Sequence, residues 1–356
     1  MNIAVFWPNW IGDAVMATPA VRALQEHHAP ARLVSVLKPY IAGVLQGSPW
    51  LEDPVFVDAR GSARQRWLAA SLRLRRAKID LAILFPNTFR SALVAWAGKC
   101  RVRIGYRRYG RSFLLTEALE PERDARGRLQ PSPIIDAYNR LAIRGGCPAP
   151  SYRMELFTTP EDEAAADTVW DKAGFSRRNL VVCFNPGAAF GSAKHWPTDS
   201  FAELAQKLVD ERGLRVLVLC GPGERTLAAD IVAKARRRAV YSLAEHPLSL
   251  GLTKACIRRA ALLVTTDSGP RHFAAAFARP VVTLFGPTHI EWTETYHPQA
   301  VHLQRRVECG PCQRRVCPFD HRCMNLLMPG EVLAAVDALM ARSAATAAPV
   351  PLSAAG

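Results

Sequence analysis

Leu262-Leu263-Val264-Thr265-Thr266-Asp267-Ser268-Gly269-Pro270-Arg271-His272-Phe273 is the stretch on which the reading of this chain turns. Apolar and β-branched residues form a strand, Asp267-Ser268-Gly269 breaks it, and Pro270 fits the first position of a helix running through Phe273–Ala278. A near-continuous apolar strand passing straight into a helix belongs to a buried parallel sheet. The same pattern recurs outward in both directions. It occurs at Ile3–Phe6 before Pro8-Asn9-Trp10-Ile11-Gly12, at Leu33–Leu37 before Lys38-Pro39, and at Leu81–Phe85 before Pro86-Asn87. It returns at Leu180–Phe184 before Asn185-Pro186-Gly187, at Val216–Cys220 before Gly221-Pro222-Gly223, and at Val281–Phe285 before Gly286-Pro287. One set ends before residue 115 and the other begins at residue 180. Two doubly wound, Rossmann-like α/β domains follow.

A chain of 356 residues suits two domains of about 150–180 residues. The expected boundaries are 1–155 for the first, 156–330 for the second and 331–356 for a closing helix and tail. The linker falls near Pro148–Pro160, after the polar segment Glu120–Ser132 and before a helical stretch Glu161–Ala173. Met328–Met340 reads as the last helix, and the Ala/Pro/Ser tail from Ala344 reads as disordered. A hydrophobic content of 49% with 22% charged residues describes a globular chain with a full core. The start, Met1-Asn2-Ile3-Ala4-Val5-Phe6-Trp7-Pro8, lacks the basic segment of a signal peptide. No run approaches the ~20 apolar residues of a membrane-spanning helix. The expected location is therefore cytoplasmic.

The formal charge is +15, and 38 of the 46 basic residues are arginine. Guanidinium forks suit phosphates and carboxylates, although an Arg-rich proteome would give the same total. The local cluster is more telling: Arg101-Val102-Arg103-Ile104-Gly105-Tyr106-Arg107-Arg108-Tyr109-Gly110-Arg111, with Arg60, Arg64 and Arg66 upstream. No helix-turn-helix, RNP-type or zinc-finger pattern accompanies it. An anionic acceptor or membrane surface is expected there, contacted by Arg60, Arg64, Arg107 and Arg108, and no nucleic acid.

In such sheets ligands bind beyond the carboxyl ends of the strands, where strand order reverses. Asp267 or Ser268 can cap the helix that starts at Pro270, and its free N–H groups would hold an anion. Gly269 would let a diphosphate approach the backbone, and His272 would sit one turn in. Asn185–Pro197 is a small-residue loop carrying a single cation, Lys194, and lacks the Gly-Lys-Ser/Thr order of a P-loop. Asp13, between the first strand and first helix, reads either as an N-cap or as a general base at a cleft edge. Four thiols, Cys309, Cys312, Cys317 and Cys323, fall within fifteen residues. Their spacing lacks paired Cys-x2-Cys knuckles, so metal binding and reduced or reversibly bridged thiols both stay open.

These loops, taken in order, resemble the ADP-heptose:lipopolysaccharide heptosyltransferases of glycosyltransferase family 9. The motifs are Pro8–Met16 (PNWIGDAVM), Leu84–Leu93 (LFPNTFRSAL), Asn185–Pro197 (NPGAAFGSAKHWP), Val264–His272 (VTTDSGPRH) and Leu284–Pro287 (LFGP). The resemblance implies the GT-B fold, two Rossmann-like domains facing across a cleft. It implies a lipopolysaccharide-core acceptor on the N-terminal half and ADP-heptose on the C-terminal half. It implies work at the cytoplasmic face of the inner membrane. Carried over by position, Asp13 is the base, Lys194 the diphosphate contact, and Asp267, Ser268, Gly269 and His272 the donor loop. Glu224 is placed near the adenosine ribose. The implied reaction inverts the anomeric centre in one displacement, since Asp13 has no second carboxylate for a covalent route. No cofactor and no catalytic metal are implied, and no Asp-x-Asp signature is present. The alternatives are the same fold acting on another acceptor, as in heptosyltransferases I or III, or a non-catalytic protein binding anionic surfaces or nucleic acid.

Overall fold

Every element that was expected as a buried strand becomes one. In the computed structural model, which describes residues 1–57, 63–176 and 178–347, the first sheet comprises β1 (Asn2–Phe6), β2 (Arg32–Leu37), β3 (Pro54–Phe56), β4 (Leu81–Leu84), β5 (Val102–Tyr106) and β6 (Glu117–Leu119). The second comprises β7 (Val181–Asn185), β8 (Arg215–Val218), β9 (Val240–Ser242), β10 (Leu262–Thr266), β11 (Val281–Phe285) and β12 (Ala300–Gln304). The orders are β3-β2-β1-β4-β5-β6 and β12-β11-β10-β7-β8-β9, and all the pairings are parallel. β3, β5, β6, β9 and β12 were not foreseen. They are short or carry polar residues, as β5 does in Val102-Arg103-Ile104, and periodicity is weakest there.

Each sheet has one place where strand order reverses. In the first it lies between β1 and β4, registered Phe6 to Leu84. In the second it lies between β7 and β10, registered Asn185 to Thr265. Helices leaving neighbouring strands there go to opposite faces, so the loops splay and a crevice opens between them. The chain's most distinctive loops are attached to these four strands.

The compact units are Met1–Ala165 with Ser249–Ala255 and His289–Tyr296, and Ala166–Leu248 with Cys256–Thr288 and His297–Gly356. The first break thus falls inside the helix Pro160–Ala173, ten residues beyond the expected 155/156 boundary, and two later segments rejoin the first unit. That helix starts with a reciprocal cap. The Thr159 N–H donates to Asp162 Oδ2 at 3.0 Å and the Asp162 N–H to Thr159 Oγ1 at 3.3 Å. The last helix, Pro329–Ala347, buries Val332, Val336 and Leu339 against the helix Thr198–Arg212 and strands β11 and β12. Residues 348–356 of the expected tail lie outside the described residues.

In the first unit Ala4, Phe6, Val34, Val36, Ala82 and Leu84 from the sheet meet Ala70, Leu74, Ala92, Val94, Ala95 and Leu114 from the elements covering one face. In the second, Phe201 is fully buried between Trp196 and Phe184, with ring centroids 4.8 and 5.5 Å away. Phe201→Ala therefore leaves a large void beside the β7 loop. We expect a loss of about 3–5 kcal/mol of unfolding free energy, checked by urea denaturation, and a shift under about 1 kcal/mol contradicts this packing.

Candidate active site

The first unit's reversal point holds a cavity of about 380 Å³. β1 leads into it through Trp7, which is buried and whose indole N–H donates to Ser35 Oγ of β2 at 2.8 Å. The short helix Ile11–Met16 follows, capped by the extended backbone of Trp10 with no side-chain cap bond. Asp13 is therefore not an N-cap: it lies in the first turn, and it lines the cavity. The Tyr138 phenol is hydrogen-bonded to its carboxylate; burial first, and then Asp13, push that phenol well above its ordinary pKa. The phenol thus stays protonated and keeps the carboxylate oriented.

The β4 side of the cavity is Pro86-Asn87-Thr88, and Arg111 builds it. Arg111 is completely buried. Its guanidinium donates to the carbonyls of Pro86 at 2.5 Å and Tyr106 at 3.1 Å and to Asn87 Oδ1 at 2.9 Å, tying the β4 loop to the β5 loop. Burial, then the nearby Arg108, lower its pKa to about 10, so it remains a cation at neutral pH. Arg111→Met strips those acceptors of their donor, and a loss of about 3 kcal/mol in urea unfolding is expected. An unchanged midpoint would show that the loop does not rely on it.

Of the arginines expected to meet an acceptor, Arg108 lines the cavity, with its guanidinium carbon 5.0 Å from the Tyr109 ring centroid. Arg107 does not line it; it is exposed and pairs with Glu120 at 2.9 Å. Arg60 lies outside the described residues, and so does the Arg64 side chain. Sequence reading missed Tyr138 and Arg140, which line the cavity from the helix Ile134–Arg144. The usable signal was the i, i+3, i+4 spacing of Ile134, Ala137 and Tyr138. It also missed Glu122, Gln130 and Ser132, which stood in a segment read only as polar.

At the second unit's reversal point the β7 and β10 loops are stitched together. Asn185 Nδ2 donates to Thr265 Oγ1 at 3.1 Å and to Ser268 Oγ at 2.8 Å, and Thr266 Oγ1 donates to the Gly187 carbonyl at 2.8 Å. The expected capping by Asp267 or Ser268 does not occur. Gly269 is the N-cap of the seven-residue helix Pro270–Ala276, with no side-chain cap bond, because both side chains are committed elsewhere. Asp267 takes the Lys194 ammonium on Oδ2 at 2.5 Å and the Thr288 hydroxyl on the same oxygen at 2.7 Å. Lys194 also donates to the Asp267 carbonyl at 2.9 Å. The pair is nearly sealed, with side-chain exposures of 10% and 5%. Burial pushes the Asp267 carboxyl up, and the Lys194 and Arg271 charges with the Lys194 and Thr288 bonds outweigh it, leaving it below its ordinary pKa. Lys194 is thus no solvated loop lysine: it is an ammonium with two of its three N–H groups fixed, 4.8 Å from the Phe190 ring centroid.

Two glycines allow this arrangement. A Cβ on Gly187 would stand 1.9 Å from the Glu224 carboxylate, and one on Gly191, at φ +152°, would stand 2.3 Å from the Arg315 carbonyl oxygen. Glu224 therefore lies at the β7 loop, accepting the Gly221 N–H at 2.8 Å. Arg315 O accepts the Ala193 N–H at 3.0 Å, and the His321 ring nitrogen Nε2 lies 2.7 Å from the Ala193 carbonyl. The cysteine-bearing segment thus braces the Lys194 loop. Its thiols are free: Cys309 is exposed, Cys312 and Cys317 half-buried, Cys323 buried. Burial first, and then Cys317, Cys309 and Cys312, push the Cys323 thiol up to about 11. Among the described residues no group of three or more His, Cys, Asp or Glu side chains is arranged to hold a metal ion.

His272 is buried behind this loop, and burial followed by the Arg271 charge holds it well below its ordinary pKa. Burial likewise lowers His297. Both imidazoles are neutral when folded, whereas the unfolded chain takes up protons below about pH 6.5. Stability is therefore full above that pH and falls on acidification. The urea midpoint should drop between about pH 7.5 and about pH 5.5, and less so in His272→Asn. A midpoint that does not move contradicts the burial of these rings. Lys194→Ala leaves the Asp267 carboxylate buried and unpaired and should cost about 3 kcal/mol. Wild-type stability in that variant would mean that the ammonium is solvated.

Two parallel, doubly wound units, each with its polar loops gathered at the reversal point, have the GT-B architecture. The chain belongs to glycosyltransferase family 9 (heptosyltransferase), whose profile matches residues 67–322. It is 29% identical over 354 residues to lipopolysaccharide heptosyltransferase 2 of Escherichia coli K12, covering 96% of this chain and 99% of that protein. It is 30% identical to the Salmonella typhimurium enzyme of the same name, over 82% and 85%. Among solved structures, E. coli ADP-heptose LPS heptosyltransferase II superposes with a TM-score of 0.78 at 24% identity, over 97% and 100%. A family 9 glycosyltransferase from Veillonella parvula superposes with a TM-score of 0.80 at 19% identity, over 96% and 97%.

Proposed function

We propose that the protein transfers heptose from ADP-heptose to the heptosyl-Kdo2-lipid A inner core of lipopolysaccharide, with inversion at the anomeric carbon. The near full-length similarity to enzymes named lipopolysaccharide heptosyltransferase 2 supports the donor and the acceptor. The observation that carries the mechanism is a carboxylate, Asp13, lining a cavity at a strand-order reversal and oriented by Tyr138.

In this reading an acceptor hydroxyl enters the first unit's cavity and loses its proton to an Asp13 Oδ as its oxygen attacks the anomeric carbon. The bond from that carbon to the β-phosphate oxygen breaks, and ADP departs with the electron pair. Negative charge grows on the departing diphosphate. The Lys194 N–H not engaged by Asp267 and the peptide N–H groups around Ser268 and Gly269 are assigned to meet it, a preorganised contribution of several kcal/mol. Arg108 and Arg140 supply charge for an anionic acceptor. Glu224, at the β7 loop, is assigned to the adenosine ribose. Among the described residues no helix is long and apolar enough to cross a membrane, and we place the enzyme peripherally at the cytoplasmic face of the inner membrane.

The test is ADP release on mixing the protein with ADP-heptose and heptosyl-Kdo2-lipid A. Asp13→Asn should reduce kcat by about 10²–10⁴-fold with KM little changed. Full turnover in that variant removes Asp13 from the mechanism, and no turnover by the wild type removes this donor–acceptor pair.

A further inference from the structure

One face of the first unit's sheet is covered by the helices Ala63–Arg76 and Phe89–Ala97 and the 3-10 turn Ser112–Leu114. Inward, these elements supply core residues. Outward, they present bulky apolar side chains among exposed arginines. Leu68 and Leu72 are 49% and 48% exposed, Phe89 and Trp96 43% and 53%, and Phe113 73%. Leu68 and Leu72 are spaced i, i+4 and Phe89 and Trp96 i, i+7, so each pair stands on one side of its helix. The two helices pack directly together, and the Phe89 and Phe113 ring centroids are 6.1 Å apart. Single exposed apolar residues need no explanation, but five on one layer do.

The electrostatic setting is just as one-sided. Residues 63–116 contain 13 lysines and arginines and a single acidic residue, Asp80. Arg75, Arg76, Lys78, Arg90, Lys99 and Arg101 are exposed. Bulky apolar side chains set among cations match an anionic bilayer surface, where rings and leucines enter the acyl boundary and guanidinium groups meet lipid phosphates. This surface is also continuous with the cavity of Asp13. Thr88, which caps the helix carrying Phe89 and Trp96, lines the cavity, and so does Tyr109, 70% exposed.

We propose that this layer is the membrane-docking face of the protein. Its occupant is an anionic phospholipid leaflet, and it presents the cavity's mouth to an acceptor anchored in that leaflet. The inference rests on the peripheral-membrane reading above and names the side chains that perform it.

The test is co-sedimentation with vesicles of phosphatidylglycerol and phosphatidylethanolamine, with phosphatidylcholine vesicles as the neutral control. Wild type, Leu72→Ser/Trp96→Ser and Phe113→Ser are compared. Wild type should bind the anionic vesicles, and less so as salt rises. The double variant should bind at least about tenfold more weakly, with Phe113→Ser in between. Transfer to a deacylated, water-soluble acceptor should stay at the wild-type level in both variants, which also shows that they are folded, while transfer to vesicle-embedded acceptor falls with binding. Wild-type vesicle binding in both variants overturns this surface and leaves the peripheral reading standing. A wild type that binds no vesicles overturns both. A double variant that instead changes the protein's self-association in analytical ultracentrifugation, or a wild type that prefers RNA to vesicles, assigns the face to another partner and overturns the proposal.

Discussion

A lysine and an aspartate, nearly sealed from water and 2.5 Å apart, fix the second unit's site. Neither charge is tolerable alone at that depth: an unpaired buried carboxylate or ammonium would neutralise itself or pull the loop open. Together they join the β7 loop to the β10 loop, and Thr288 brings in the loop after β11 through the same carboxylate oxygen. Three strand ends are thereby held at one point. Gly187 and Gly191 are glycines because the neighbours that complete the arrangement, Glu224 and the Arg315 backbone, occupy the space a Cβ would need.

The first unit solves the same geometric problem with different chemistry. Arg111 there is as buried as Asp267, but it is satisfied by the carbonyls of Pro86 and Tyr106 and by Asn87 Oδ1. A cation distributed over neutral acceptors stiffens the wall of the cavity that Asp13 lines. In the other unit a compensated ion pair fixes one ammonium between two loops. The two sheets thus share a topology and differ in how their reversal points are wired.

Much of this could be read in the chain, for physical reasons. β1, β2, β4, β7, β8, β10 and β11 are apolar on both faces because helices cover both, so they stand out as continuous runs. The loops that follow them stand out too, since only Gly, Pro, Asn and Asp suit such turns. β5 and β6 did not stand out: Val102-Arg103-Ile104 alternates, and Glu117-Ala118-Leu119 is only half-buried. The positions of Asp13 and Lys194 were legible, but their partners were not. Tyr138 lies 125 residues beyond Asp13 and Asp267 73 residues beyond Lys194, and no local pattern encodes such pairings. That is why Asp267 read as a helix cap. Its carboxylate satisfies the cap chemistry in sequence, and the stronger demand of a buried ammonium wins in the folded chain.

The proposed role of the second unit's ammonium is to hold a phosphate. Isothermal titration calorimetry of ADP and of adenosine against wild type and Lys194→Met measures this directly. The ion-pair arrangement predicts that ADP binding weakens by about tenfold or more while adenosine binding is retained. Equal losses for both ligands, or ADP binding as tight as that of the wild type, would contradict it.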